Sequence, residues 1–165
     1  MKTGLDIDWS LGAPPLTFET EECIQAFAEQ VYREHELIAG QYTCFGAGED
    51  QAEAVMGRLE SVVANCFGSF FGSTPRDRFS DVFEQASCFA AHLAKDHIFA
   101  DGNKRTTLVV ALAIVKMRPI GLLIDDGADP EGNAIYRWIQ SAVSGPGDQA
   151  ALAADLRGMA RPSAC

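Results

Sequence analysis

The sequence predicts an all-α domain of about six helices carrying one short β-hairpin. Three observations predict it. At 165 residues, 47% apolar and 22% charged, the chain has the size of one domain and enough apolar residues to fill a core. Several long stretches repeat apolar residues at every third or fourth position, the spacing of one buried helix face. One stretch, CFGSFFGSTPRDRF from Cys66 to Phe79, breaks that period. Its aromatic residues alternate with Gly and Ser, which suits a short hairpin or an exposed flap.

Taken in order, residues 1–16 hold Gly4, Gly12 and the Pro14–Pro15 pair, so an extended arm is expected, docking through Trp9 or Leu11. A first helix runs from Thr20 with Ile24, Phe27, Ala28, Val31 and Ile38 on one face. Thr17 or Thr20 caps it and Gly40 stops it. His35 falls on the same apolar stripe and is read as a satisfied, partly buried histidine. After the loop QYTCFGAGED, a second helix covers Gln51 to Cys66, with Val55, Met56, Leu59, Val62, Val63 and Cys66 inward. Phe67 to Phe79 is the flap; the plainer alternative is a loop whose Phe70 and Phe71 fill the core.

Ser80 or Asp81 opens a third helix to about Lys95, with Val82, Phe83, Ala86, Phe89, Ala90 and Leu93 inward. Asp96 to Gly102 is a loop. Asn103 opens a fourth helix whose residues Leu108 to Val115 are apolar on every side. That pattern predicts burial all round, at the centre of the fold. Pro119 and Gly121 end it. Two shorter helices follow, Gly132 to Val143 and Asp148 to Met159, and Trp9 and Trp138 are expected as core or docking residues. The expected organisation is an arm over 1–16 and one domain over 17–160.

Charge excludes some functions. Thirteen basic against 23 acidic residues give −10. A nucleic-acid-wrapping surface needs clustered Lys and Arg, and docking to an anionic membrane needs the same. Partners among nucleic acids and membranes are therefore not expected. The five cysteines are scattered, with no CxxC pair, zinc knuckle or disulfide framework. No HExxH pattern is present. The start MKTGLDIDWS lacks the apolar run of a signal peptide. The most apolar run has eight residues, against the roughly 20 of a membrane span. A cytoplasmic protein is expected.

The chemistry concentrates before and within the fourth helix. Lys104 and Arg105 fall in its first turn, where the helix dipole disfavours cations by a few tenths of a kcal/mol each. Two adjacent bases there make sense if an anion reverses the field. Gly102 and Asn103 precede them, letting backbone N–H groups approach a ligand closely. Beside such a site Asp101 is a natural magnesium ligand, since magnesium takes one or two carboxylates plus phosphate oxygens. His97 is the residue type suited to taking a proton near pH 7. Each has a plainer reading: His97 as a cap, Asp101 as a turn residue, Lys104 and Arg105 as solvated charges. Together they describe phosphate-ester chemistry.

HIFADGNKR, His97 to Arg105, resembles the signature loop of the Fic/Doc (Fido) superfamily, H-P-F-x-[D/E]-G-N-G-R-x-x-R. His97, Phe99, Asp101, Gly102, Asn103 and Arg105 match; Ile98, Lys104 and Leu108 depart from it. All three departures make the loop similar to the Doc (death-on-curing) toxins, H-x-F-x-D-x-N-K-R-T. LESVVANCFGSFFGS and FEQASCFAAHLAKDHIF also resemble their helix, flap and helix. The likeness spans about Leu16 to Asp126.

The resemblance implies a mainly helical Fido fold. It implies His97 as general base on a target hydroxyl and Asp101 as magnesium ligand. Gly102, Asn103 and Lys104 would cradle the phosphates of ATP or another NTP, and Arg105 would grip a further phosphate. Phe67, Gly68, Ser69, Phe70 and Phe71 would form the flap that aligns a target segment as an added strand. It further implies a growth-inhibitory toxin that phosphorylates a Ser or Thr hydroxyl, with a translation elongation factor as first candidate target. A Phd-like antitoxin would restrain it, because no [S/T]-x-x-x-E-[G/N] inhibitory helix is found in the chain. The rivals are AMP or other NMP transfer to a protein hydroxyl, opposed by Lys104, and a non-catalytic nucleotide- or partner-binding module. An RNA-processing toxin is opposed by the charge.

Overall fold

The computed structural model describes residues 8–41, 49–95, 98, 103–122, 137–138 and 149–162. In chain order its elements are α1 (Trp9–Gly12), α2 (Glu21–Gln41), α3 (Glu49–Phe67), α4 (Pro75–Arg78), α5 (Val82–Lys95), α6 (Asn103–Lys116), β1 (Ile120–Leu122), α7 (Gln149–Met159) and β2 (Ala160–Pro162). The architecture is the mainly helical one expected, with a small two-stranded sheet added. Among the described residues the helices include two single turns, α1 and α4, that apolar spacing does not reveal. Arg137 and Trp138 are also helical; the rest of the helix expected over 132–143 lies outside the described residues.

Helix α5 is the centre. Ten of its fourteen residues are buried, and it packs against α3, α6 and α7. Its buried small residues Ala86, Ser87, Ala90, Ala91 and Ala94 let neighbouring helices approach. The expectation that α6 would be buried all round is corrected. Thr106, Thr107, Val110, Ala111, Ile114 and Val115 are buried, whereas Arg105, Val109, Ala113 and Lys116 are exposed. Those four recur at helical spacing, so apolar composition alone misplaced the outer face of α6. Helix α2 ends at Gln41, within one residue of the stop expected at Gly40.

Capping is local and readable. Asp81 accepts a hydrogen bond from the Glu84 N–H (3.0 Å) at the start of α5. Glu84 in turn accepts from the Ser80 N–H (2.8 Å). These bonds satisfy donors that a helix start otherwise leaves open.

The arm is built into the core. Ala13, Pro15 and Leu16 are buried. Gln85, wholly buried in α5, accepts from the Leu16 N–H (2.7 Å) and donates to the carbonyls of Leu16 (2.6 Å) and Cys66 (3.0 Å). Arg118 donates to the carbonyls of Pro14 (2.8 Å) and Pro15 (2.9 Å). Trp9 packs edge-on against Phe83 at 5.3 Å, while Leu11 is exposed; of the two expected docking residues, Trp9 takes the role. Residues 9–12 form a helical turn rather than extended chain, capped by Asp8 accepting from the Ser10 N–H (3.1 Å).

Strands β1 and β2 pair antiparallel, with Ile120 opposite Pro162 and Leu122 opposite Ala160. Three-residue strands leave too short a trace in the sequence for alternation to show. Trp138 is buried and donates its indole N–H to the Leu152 carbonyl (3.0 Å). No helix among the described residues is long and apolar enough to cross a membrane.

Candidate functional site

In the chain, the signature loop connects the end of α5 to the start of α6. Residues 96–97 and 99–102 lie outside the described residues, so His97, Asp101 and Gly102 do too. Ile98 is described and buried, an anchor of the loop in the core. Asn103 is the first residue of α6 and Lys104 the second. Arg105 follows in the same turn with an exposed side chain. The first turn holds no acidic residue. The helix therefore starts where the sequence places it, with two cationic residues in its first turn.

Packing behind that turn fixes it. Thr106, next to Arg105, is buried, and its hydroxyl lies 3.1 Å from His35 Nδ1 on α2. His35 is fully buried, deeper than its expected half-burial. The bond joins α2 to the start of α6, so the first turn of α6 rests on a buried polar contact.

Beside Ile98 lies a cavity of about 620 Å³. Ala54, Gly57, Arg58, Ser61, Val62 and Asn65 of α3 form one wall, and His92 and Ile98 the other. Small-molecule sites of this size are common. Among the described residues its polar lining combines basic and neutral hydrogen-bonding groups and no carboxylate. The sequence analysis gave His92 no role; its place in the last turn of α5, just before the loop, was the available signal. No group of three metal-ligating side chains occurs among the described residues.

The flap is a tight hairpin. Phe70 and Ser73 exchange both backbone hydrogen bonds, 2.9 and 2.7 Å. The two residues between them, Phe71 (φ 49°) and Gly72 (φ 82°), both have positive φ. That is the type I′ pattern of two-residue hairpins. Phe71 is fully exposed and Phe70 partly so, which overturns the alternative that they fill the core. Ser69 is exposed as well. Phe67 is corrected in the other direction. It is completely buried at the end of α3, stacked on Phe18 at 4.8 Å and set against Phe27 and Phe89. Gly68 marks the change of direction: a Cβ there would lie 2.7 Å from the Ala64 carbonyl oxygen.

Arg78, which the sequence did not single out, holds the hairpin in place. Its guanidinium donates to the carbonyls of Gly68 (2.6 Å), Ser73 (3.1 Å) and Asn65 (3.2 Å). It also stands over the Phe70 ring at 5.2 Å. Only tertiary structure reveals it, because its acceptors are backbone carbonyls.

In comparisons with known proteins, a family model described as the Fic/DOC family matches residues 18–115, more than half of the chain. The match covers α2 to α6, including the hairpin and the loop. No curated protein and no solved structure matched the chain.

Proposed function

Because this chain belongs to the Fic/DOC family, whose members are in general nucleotide-using, protein-modifying transferases, we propose that it is a Doc-like toxin that moves a phosphoryl group from ATP to a Ser or Thr hydroxyl of a target protein. The observation that carries the reading is the start of α6 at Asn103, with Lys104 and Arg105 in a first turn that holds no acid. Such a turn fits the phosphates of a nucleotide.

In this reading His97 accepts the proton of the target hydroxyl, and that oxygen displaces ADP from the γ-phosphorus. Gly102, Asn103 and Lys104 hold the phosphate chain, and Arg105 takes a further phosphate. Asp101 would hold magnesium, which when bound neutralises phosphate charge. The cavity beside Ile98 is large enough for the remainder of a nucleotide. The hairpin edge at Phe70 offers main-chain groups to an extended target segment, and Phe71 offers an exposed ring. Lys104 stands where AMP-transferring relatives have glycine, and a cation there changes which phosphate lies nearest His97. The same reading makes the protein cytoplasmic, directed at the translation machinery with an elongation factor as first candidate, and restrained by a Phd-like antitoxin.

Intact-protein mass spectrometry of a cell lysate incubated with the protein, magnesium and ATP tests this, with His97→Ala as control. The expected result is a gain of about 80 Da on a target, absent with the variant. A gain of about 329 Da would mean AMP transfer instead. A gain that persists with His97→Ala would remove His97 from the catalytic role.

A further inference from the structure

Cys66 and Cys88 are 22 residues apart in the chain, yet α3 and α5 bring their sulfurs to 3.8 Å. Cys66 is buried in the last turn of α3, and Cys88 is half-buried near the middle of α5. The Cys66 S–H donates to the Cys88 sulfur. His92, one turn further along α5, bonds the same sulfur, and Arg78 from α4 adds positive charge. The Cys66 backbone is itself fixed, its carbonyl accepting from Gln85 (3.0 Å). One sulfur is thus a held donor, and the other collects a donor and two basic groups.

We propose that Cys66 and Cys88 form a redox-active dithiol, which hydrogen peroxide converts to a disulfide joining α3 to α5 beneath the hairpin. Cys88 is the attacking sulfur. Its thiolate forms a bond to one peroxide oxygen as the O–O bond breaks, giving a sulfenic acid and a hydroxide that is protonated to water. The Cys66 sulfur then attacks the Cys88 sulfur. The S–S bond forms, the S–O bond breaks, and hydroxide leaves with the Cys66 proton as a second water. The two sulfurs together lose two electrons, and the peroxide gains them. Bond formation requires the sulfurs to close from 3.8 Å to about 2 Å, a side-chain movement between helices already packed.

The charges support the order of attack. The Cys66 S–H bond, then His92 and Arg78, draw the Cys88 thiol down to about 6 against the effect of burial. Donating that bond and being buried push Cys66 up. A lowered thiol is ionised above its own value, so Cys88 is mostly thiolate at pH 7 while Cys66 keeps its proton. Because His92 also lines the cavity, forming the disulfide removes the thiolate that this histidine faces at the cavity wall.

The reduced full-length chain would be treated with hydrogen peroxide, quenched with iodoacetamide and examined by intact mass and peptide mapping. The expected result is an intact chain carrying two fewer carbamidomethyl groups than the untreated control, a linked Cys66–Cys88 peptide and reversal by dithiothreitol. With Cys66→Ser, Cys88 should stop as a sulfenic acid that dimedone traps. On the unaltered chain, the rate of Cys88 alkylation against pH should have its midpoint near 6, below that of exposed Cys23. Linkage through Cys23, Cys44 or Cys165 instead, or a Cys88 no more reactive than Cys23 at pH 7, would overturn the proposal.

Discussion

Phe71 shows how a single residue can be placed against its own preference. Its φ of 49° lies in the left-handed region, which costs an L-residue with a Cβ about 1–2 kcal/mol. The ring recovers nothing from burial, since it is fully exposed. Asn or Gly is the usual occupant of that position in a two-residue hairpin. On the hairpin that the proposed function uses to dock a target, a strained, exposed aromatic fits contact with that target rather than stability. Phe71→Asn should therefore raise stability by about 1 kcal/mol in chemical denaturation, while lowering the rate of target modification. A variant that is both more stable and equally active would separate Phe71 from docking. Gly72 beside it has φ 82°, so the turn as a whole depends on one residue that suits it and one that does not.

Among the elements, the proposed function divides the work of the site between the hairpin and α6. The hairpin carries a single bridge between Phe70 and Ser73 and relies on the three carbonyl contacts of Arg78. A lysine there keeps the charge but lacks the planar fork that reaches several acceptors at once. Each bond to a charged donor contributes about 1.5–3 kcal/mol. Arg78→Lys should accordingly raise hydrogen exchange at residues 68–73 by roughly tenfold or more while α5 stays protected. Unchanged exchange would mean that the turn sustains itself. In the proposed reading, helix α6 sets the chemistry by what stands in its first turn. Lys104→Gly removes the cation that separates this loop from the AMP-transferring pattern. The expected outcome is a fall in phosphoryl transfer with AMP transfer appearing, read from the transferred mass. Phosphoryl transfer of unaltered rate would take Lys104 out of the explanation.

Across the whole molecule, what could be read from the sequence was what adjacent residues determine. The stripes of α2, α3 and α5 are local periodicities, and nine consecutive residues carry the signature loop. The centre of the bundle was not legible, because apolar composition marked α6 while the small residues of α5 decide which helix can be surrounded. Nor were Arg78, the Cys66–Cys88 pair or the strands β1 and β2, each of which depends on partners brought together by packing. A further link of this kind joins the start of α5 to α7. Arg157 of α7 donates to both carboxylate oxygens of Asp81, at 2.7 and 3.1 Å, and lies 3.5 Å from Glu84. The Asp81 side chain is almost wholly buried and also caps α5. Arg157→Ala would leave that carboxylate buried without its partner, a change that costs about 3 kcal/mol or more in buried pairs. Because Arg157 is itself about one-third exposed, water entering the gap limits the loss, and about 2–3 kcal/mol is expected. Arg157→Ala with Asp81→Asn should recover part of it, since the neutral amide can stay buried and its oxygen can still cap α5. Urea denaturation of the single and double variants measures both numbers. A double variant no more stable than Arg157→Ala would show that Arg157 acts through packing of its alkyl chain rather than through the charge of Asp81.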